Sequence, residues 1–229
     1  MRVAILQSNY IPWKGYFDII RKVDLFVFLD DVQYTHRDWR NRNLIKTPYG
    51  LRYLTVPVGE KNKYRKICEV KILNSDWQSK HYNLIIQNYK MAPFFNYMKD
   101  FIDDVYLYKK WTTLSELNKY IIKIITKNFL NINVEFDDSE KYDVVEKKQE
   151  RILNLLKSTK ATSYVCGPAA KTYINEDDFN NRNIQLEWME YKYNQTYPQL
   201  FPPFEHKVSI IDLLMNTGPS AINFMLPDT

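Results

Sequence analysis

Polar and aromatic side chains are concentrated between Arg2 and Asn43, in RVAILQSNYIPWKGYFDIIRKVDLFVFLDDVQYTHRDWRNRN. Their types suit a polar ligand, because amides hydrogen-bond, guanidinium groups clamp carboxylates or phosphates, and aromatic rings stack on bases and sugar faces. The candidate ligand-binding residues here are Gln7, Asn9, Tyr10, Trp13, Gln33, Arg37, Trp39, Arg42 and Asn43. Tyr193 and Gln195, in the irregular segment YNQTYPQLFPPFEH, are further candidates.

The candidate proton acceptors are Asp30, Asp31 and His81. A positioned carboxylate or imidazole can take a proton during group transfer, and an unperturbed imidazole titrates near neutral pH. Adjacent residues of a strand point to opposite faces, so at most one of the two aspartates should enter a given pocket, and we favour Asp31. The choice between Asp31 and His81 as the base stays open.

Each candidate has a structural alternative. Asp and Asn are common turn formers, and exposed arginines often make weak surface ion pairs. Trp13 suits a core position better than a binding site, and His81 on an amphipathic helix is more often packed or exposed than catalytic. Cys166 could carry an acyl group, but a buried, inert thiol is the better interpretation.

Apolar runs of the chain predict the elements that position these residues. Apolar runs at residues 3–6, 25–29 and 163–166 predict parallel strands, and helical patterns lie between them. Polar residues follow the first two runs directly. Because ligands of parallel sheets bind outside the carboxyl ends of the strands, Gln7, Asn9, Asp30, Asp31 and Gln33 could face one crevice. We expect Tyr10, Arg42, Asn43 and His81 to complete it.

The remainder of the chain predicts an α/β fold, with a parallel-sheet core, flanking helices and an inserted antiparallel hairpin region. Residues 44–58 form the hairpin around the turn Thr47-Pro48-Tyr49-Gly50, and residues 67–73 form a third strand beside it. The basic loop 59–66 is either a solvated tip or a phosphate-steering segment. Helices are predicted at 75–89, capped by Ser75 or Asp76, at 94–108, 114–129 and 146–156, and at 210–216, between Ser209 and Gly218. Further strands are predicted at 132–136 and 185–191. We expect one domain over residues 1–229, with a helical subregion at 75–130.

Composition limits the classes of function. The 229 residues are 45% hydrophobic and 15% aromatic, and 32 basic against 27 acidic residues give a net charge of +5. This mild, dispersed charge suits an anionic small ligand and not a nucleic acid. Two cysteines and three histidines without ligand spacing predict no structural metal. Without a signal-peptide pattern or an apolar run near 20 residues, we expect a cytoplasmic protein with no membrane partner.

Common catalytic signatures do not occur. The five glycines form neither GxGxxG nor a phosphate loop, and HExxH and GxSxG are missing. Any chemistry must therefore rest on Asp, Glu, His, Tyr and Arg.

A family resemblance follows from longer strings. The string LQSNYIPWKGYFDIIRKVDLFVFLDDVQYTHRDWRNRN resembles the signature of the WbqC-like family, and the likeness continues through YLTVPV, WQSKHYNLIIQNYKMAPFF, YVCGPAAKTYI and SIIDLLMNTG. It covers nearly the whole chain. The family usually has Gln-Pro where this chain has Gln7-Ser8. It usually has Gln or Lys near Arg40, which makes a role for Arg42 more secure than one for Arg40.

The resemblance implies a role in bacterial surface-polysaccharide (O-antigen) biosynthesis. It implies an enzyme acting on a nucleotide-linked sugar, and pathway analogy favours N-acyl transfer to an amino sugar. No cofactor is certain; an acyl-CoA or another acyl donor would be needed, and a homodimer stays open. Two alternatives remain. One is an ATP-using nucleotidyltransferase or ligase of the HUP type, although SNYIPWKGY lacks the HxGH-like motif. The other is a non-catalytic protein that binds sugar nucleotides.

Overall fold

A parallel sheet and a separate hairpin form the β-structure of the computed structural model, which describes residues 1–59, 64–73 and 76–226. The strands in this part of the chain are β1 (Arg2–Leu6), β2 (Leu25–Phe28), β3 (Arg42–Thr47), β4 (Gly50–Thr55), β5 (Glu135–Asp138), β6 (Ser163–Cys166) and β7 (Gln185–Trp188). Five of them make one parallel sheet in the order β5-β2-β1-β6-β7, and β3 pairs with β4 antiparallel. The predicted α/β class, parallel core and hairpin are confirmed.

Both faces of the sheet are covered, which explains why its central strands β1, β2 and β6 are mostly apolar without polar alternation. The helices are α1 (Lys14–Arg21), α2 (Trp77–Tyr89), α3 (Phe95–Asp103), α4 (Leu114–Ile124), α5 (Lys148–Ser158), α6 (Glu176–Asn180) and α7 (Ile210–Thr217). Val3 and Ile5 of β1 pack in one apolar cluster with Leu156 of α5. Ala4, between them, packs in a second cluster with Phe17 of α1. Successive side chains of β1 therefore serve opposite layers of helices.

The elements beyond the sheet follow the predicted pattern with local changes. The last helix is capped by Ser209, whose side chain accepts a hydrogen bond from the Ile211 N–H at 3.3 Å, and it ends at Gly218, where φ is +54°. α3 and α4 each continue into one π-helical turn, at Asp104–Tyr108 and Ile125–Phe129. Strand β5 begins three residues later than the run 132–136 predicted.

The prediction of a third antiparallel strand at residues 67–73 is wrong. Ile67–Glu69 form a 3-10 helical turn instead. After it, Lys71 and Ile72 make only isolated bridges, to Thr113 and Val58. Alternating apolar and polar residues over seven positions do not form a strand here, because Ile67 and Val70 are buried by a helical turn and not by a pleated strand. Half of the basic loop, at residues 60–63, and the predicted helix start at Asn74 and Ser75 lie outside the described residues.

Candidate functional site

The sheet reverses its direction of winding between β1 and β6. From β1 the chain moves outward to β2 and β5, whereas from β6 it moves to β7 on the other side. The five parallel strands, numbered in chain order, thus follow the doubly wound order 3-2-1-4-5, for which ligands bind outside the carboxyl ends at the reversal. A cavity of about 310 Å³ lies there. It is lined by Ile5, Leu6, Gln7, Asn9, Leu29, Arg40, Ile152, Tyr164, Cys166, Gly167, Ala169, Ala170 and Tyr173, and we call it the crevice.

Two polar groups of the crevice have no hydrogen-bond partner within the described ranges. They are the side-chain oxygen Oδ1 of Asn9 and the Nε of Arg40, and both atoms are buried. The same guanidinium pairs through Nη1 with Asp38 at 2.7 Å, which holds it in place. A buried polar atom without a partner is costly, so an unpartnered acceptor and an unpartnered donor among the residues that line one cavity favour a polar ligand there.

Asp31 lies just past β2, as predicted, but it does not line the crevice. One carboxylate oxygen accepts a hydrogen bond from the Ser139 hydroxyl at 2.6 Å, and the other is ion-paired with Arg151 of α5. The carboxylate and the guanidinium are 9% and 11% exposed. Both oxygens are thus engaged, and a proton-acceptor role for Asp31 stays a prediction.

Asp30 points to the opposite side of the sheet and is buried. Its carboxylate accepts hydrogen bonds from the Ser8 backbone N–H at 2.8 Å and from the Ser115 hydroxyl of α4 at 2.5 Å. Burial raises the pKa of this carboxyl, against the opposing effect of the two hydrogen bonds. The arrangement ties the loop after β1 to α4, so Asp30 positions the crevice and does not line it.

His81 and Tyr10 lie together, away from the crevice. The Tyr10 hydroxyl is hydrogen-bonded to Nδ1 of His81 at 2.8 Å and to the Tyr106 hydroxyl at 2.5 Å. His81 is 5% exposed. Burial lowers the pKa of its imidazole to about 4, and a hydrogen bond with the Thr55 backbone offsets only part of this shift. The imidazole is therefore neutral at pH 7 and enclosed by aromatic rings, which makes it a poor match for a base acting in the crevice.

The predicted binding residues Gln33, Arg37, Arg42 and Asn43 do not line the crevice. Asn43 is buried, and its side-chain amide binds the carbonyls of Tyr10 and Ile11 at 3.1 and 2.9 Å. Arg42 lies in β3 with its guanidinium carbon 4.4 Å from the centre of the Tyr53 ring. Gln33 bridges to Lys66 and is exposed, as is Arg37.

Trp13 and Trp39 line a second cavity, of about 230 Å³, with Asn9, Pro12, Asn43 and Lys207. Trp39 is 44% exposed, whereas Trp13 is half-buried. Of the predicted binding residues, Gln7 and Asn9 thus line the crevice, and Asn9, Trp13, Trp39 and Asn43 line this neighbouring cleft.

Tyr193 and Gln195 line a third cavity, of about 370 Å³, with Arg21 and residues 222–226. The Tyr193 hydroxyl donates to the buried carboxylate of Asp18, and the ammonium of Lys14 lies 3.8 Å from the centre of its ring. Lys14 also donates to the Phe224 carbonyl at 2.8 Å, and burial lowers its pKa to about 8. These contacts hold the C-terminal segment onto α1, which is a structural task.

Comparison with known proteins supports the resemblance seen in the sequence. A model of the WbqC-like protein family matches residues 7–224. The chain belongs to the WbqC-like protein family. The uncharacterized protein Rv1507c of Mycobacterium tuberculosis (strain ATCC 25618 / H37Rv) is 43% identical over 225 residues, which is 98% of this chain and 97% of that protein. No solved structure matches the chain.

In this WbqC-like protein, sequence reasoning ranked Arg40 below Arg42 and did not name Tyr173. The signal for Arg40 was its place in the run 40–43, but its direction depends on the turn that precedes β3. Gly167, directly after β6, also lines the crevice. Tyr173 follows the 3-10 segment Pro168–Thr172 and is 62% exposed.

Cys166 of this WbqC-like protein is 2% exposed, and burial raises the pKa of its thiol to about 12. A thiol in this state is a weak nucleophile at neutral pH, which favours the inert interpretation. Among the described residues, no group of three or more His, Cys, Asp or Glu is placed to hold a metal ion. In the same part of the chain, no helix has both the length and the apolar character needed to cross a bilayer.

Proposed function

We propose that this chain is an enzyme of bacterial surface-polysaccharide biosynthesis that binds a nucleotide-linked amino sugar in the crevice and transfers an acyl group to its nitrogen. The observation that carries the proposal is the crevice itself, at the point where the sheet reverses, with the unpartnered Asn9 oxygen and Arg40 Nε among its described lining residues. Nucleotide phosphates and sugar hydroxyls are the ligand groups that such a donor and acceptor recognise.

The polar groups of the crevice suit different parts of this ligand. The Arg40 guanidinium would bind a phosphate by charge-assisted hydrogen bonds, because its Nε is free of other described partners. Gln7 and Asn9 would bind sugar hydroxyls. The exposed ring of Tyr173 would pack against the sugar.

The acyl transfer would depend mainly on positioning. The sugar amine attacks the thioester carbonyl of an acyl-CoA, the new C–N bond forms as the C–S bond breaks, and the amine proton ends on the departing thiol. Within the described ranges, no carboxylate or imidazole lines the crevice. The reaction proposed here therefore uses the neutral form of the amine and gains its rate from holding amine and thioester together.

Binding and turnover test this proposal separately. Thermal-shift measurements with a panel of nucleotide sugars, acyl-CoAs and ATP should give a larger rise in melting temperature for a nucleotide sugar than for its free sugar. Incubation of acetyl-CoA with nucleotide-linked amino sugars should then release free thiol and raise the mass of the sugar nucleotide by one acetyl group. Binding without thiol release would support a binding protein instead, and no shift with any nucleotide sugar would contradict the proposal.

A second candidate function is transfer or ligation that consumes ATP. The doubly wound strand order favours it, because this order brings nucleotides to the same crevice. A shift with ATP and Mg²⁺ that exceeds every shift with nucleotide sugars, together with release of pyrophosphate or ADP on adding substrate, would select this function over acyl transfer.

A further inference from the structure

The cleft between Trp13 and Trp39 adjoins the crevice, and Asn9 lines both. We infer that this cleft binds the nucleobase of the nucleotide-linked ligand, while the crevice binds its phosphates and sugar. The inference rests on the proposed function and adds to it the place and the recognition chemistry of the base.

The two tryptophans give the cleft one fixed wall and one open wall. The Trp13 indole packs on Tyr191 and Tyr193, with ring centres 5.0 and 5.9 Å apart. It also lies across Gly15 at the start of α1, where an added Cβ would be 2.3 Å from Trp13 Cζ2. The position of this ring is therefore set by the glycine on one side and by the tyrosines on the other.

Trp39 forms the open wall. Its backbone is anchored, since its carbonyl accepts a hydrogen bond from the Tyr10 N–H at 2.9 Å, but its side chain is 44% exposed. An exposed indole facing a cleft is suited to cover a flat ring that enters from solvent. Base–aromatic stacking of this kind contributes strongly to nucleotide affinity.

The polar groups of the cleft fit the edge of a base better than a sugar or an acyl chain. The Asn43 amide is fully engaged, because it also accepts a hydrogen bond from the Leu44 N–H at 2.8 Å. The Asn9 oxygen serves the crevice in the proposed function, so the Lys207 ammonium and the indole N–H groups of Trp13 and Trp39 are the groups of the described lining residues that meet polar atoms of a ligand here. All of these groups are donors, and they match the ring-nitrogen and carbonyl acceptors at the edge of a nucleobase, whereas sugar hydroxyls also need acceptors. An acyl chain would use none of them.

The volumes of the two cavities agree with a ligand whose base lies in the cleft and whose phosphates and sugar lie in the crevice. The cleft, at about 230 Å³, lies below the range of roughly 300–1,000 Å³ that is usual for a whole small-molecule ligand. A planar base alone needs a smaller volume than a whole ligand. The crevice, at about 310 Å³, lies at its lower end, so a nucleotide sugar that spans both cavities has more room than either cavity gives alone.

The test compares Trp39→Leu, which removes the ring, with Trp39→Phe, which keeps a smaller one. The probes are ADP, GDP, CDP, UDP and TDP, each measured by titration calorimetry, with pyrophosphate and N-acetylglucosamine 1-phosphate as ligands without a base. Tyr49→Leu serves as the control, because Tyr49 is a 99% exposed aromatic residue at the hairpin turn. Melting temperatures of all variants are recorded.

For the tightest-binding nucleoside diphosphate, we expect Trp39→Leu to lower the affinity about tenfold or more, Trp39→Phe to lower it less, and Tyr49→Leu to leave it unchanged. Affinity for pyrophosphate should not change in any variant. Unchanged nucleoside diphosphate affinity in Trp39→Leu would overturn the inference while leaving the proposed function intact. A loss confined to the sugar phosphate would also overturn it and would assign the cleft to the sugar. Absence of binding by any nucleoside diphosphate to the unmodified protein would reject both.

Discussion

The carboxylate of Asp31 and the guanidinium of Arg151 form an ion pair that joins the loop after β2 to the first turn of α5. Both side chains are nearly buried, and Ser139 occupies the second carboxylate oxygen. A charge held in this way stabilises the fold only while its partner is present, because either group left alone would be a poorly solvated ion. The position of Asp31 at a strand end is thus explained by packing of α5 against the sheet.

Asp31→Asn should lower the free energy of unfolding by about 3 kcal/mol, because it leaves the Arg151 guanidinium without its counter-charge. Urea denaturation measures this loss. Glu150→Gln is the matched control, since Glu150 pairs with Arg182 on the surface with 51% and 37% of the side chains exposed, and should cost less than about 1 kcal/mol. Affinity for nucleotide sugars should stay within about twofold. If stability is unchanged and turnover falls by about 10²-fold or more, Asp31 acts as the base that its sequence position suggests.

His81 should make the protein sensitive to acid. Its pKa is about 4 in the folded chain against 6.5 for an unperturbed imidazole. Between these values the unfolded chain binds a proton that the native state does not, so stability is lost as pH falls from about 6.5 to 4, by up to about 3 kcal/mol. His81→Gln removes this titration and should flatten the stability profile in that window. His36→Gln, at an exposed histidine, should keep the original profile, and equal profiles for His81→Gln and the unmodified protein would contradict the assignment.

The centre of the sheet could be predicted from sequence because β1, β2 and β6 are short, mostly apolar and buried, so local pattern and burial agree. The hydrogen-bond and ion-pair partners of the polar residues could not be predicted in this way. Arg151 lies 120 residues beyond Asp31, and Tyr106 lies 96 beyond Tyr10. Such pairs arise only when α5 and the segment after α3 are folded onto the sheet and hairpin. Strand ends therefore indicated where a crevice would be, while the choice between Arg40 and Arg42 depended on a turn that spacing alone does not determine.

Gly15→Ala should destabilise the protein, although alanine normally stabilises a helix by up to about 1 kcal/mol relative to glycine. The new methyl group would overlap the Trp13 indole, which Tyr191 and Tyr193 hold from the other side. We expect a net loss of about 1–3 kcal/mol by thermal or urea unfolding. In a Trp13→Leu background the overlap is removed, so the same substitution should be neutral or stabilising. An equal loss in both backgrounds would show that the indole is not the cause.

Arg40→Gln should weaken binding of pyrophosphate and of nucleotide sugars by about 1.5–3 kcal/mol, since it removes a charge-assisted donor whose side chain lines the crevice. Titration calorimetry measures the change. Arg37→Gln is the matched control: it removes the same charge from an exposed residue three positions earlier, and should change affinity only through weak, salt-screened attraction. Asp38→Asn removes the ion pair of Arg40 but keeps the guanidinium, so it separates loss of the pair from loss of the donor. Equal effects of Arg37→Gln and Arg40→Gln would mean that net charge, and not the crevice, attracts the phosphate.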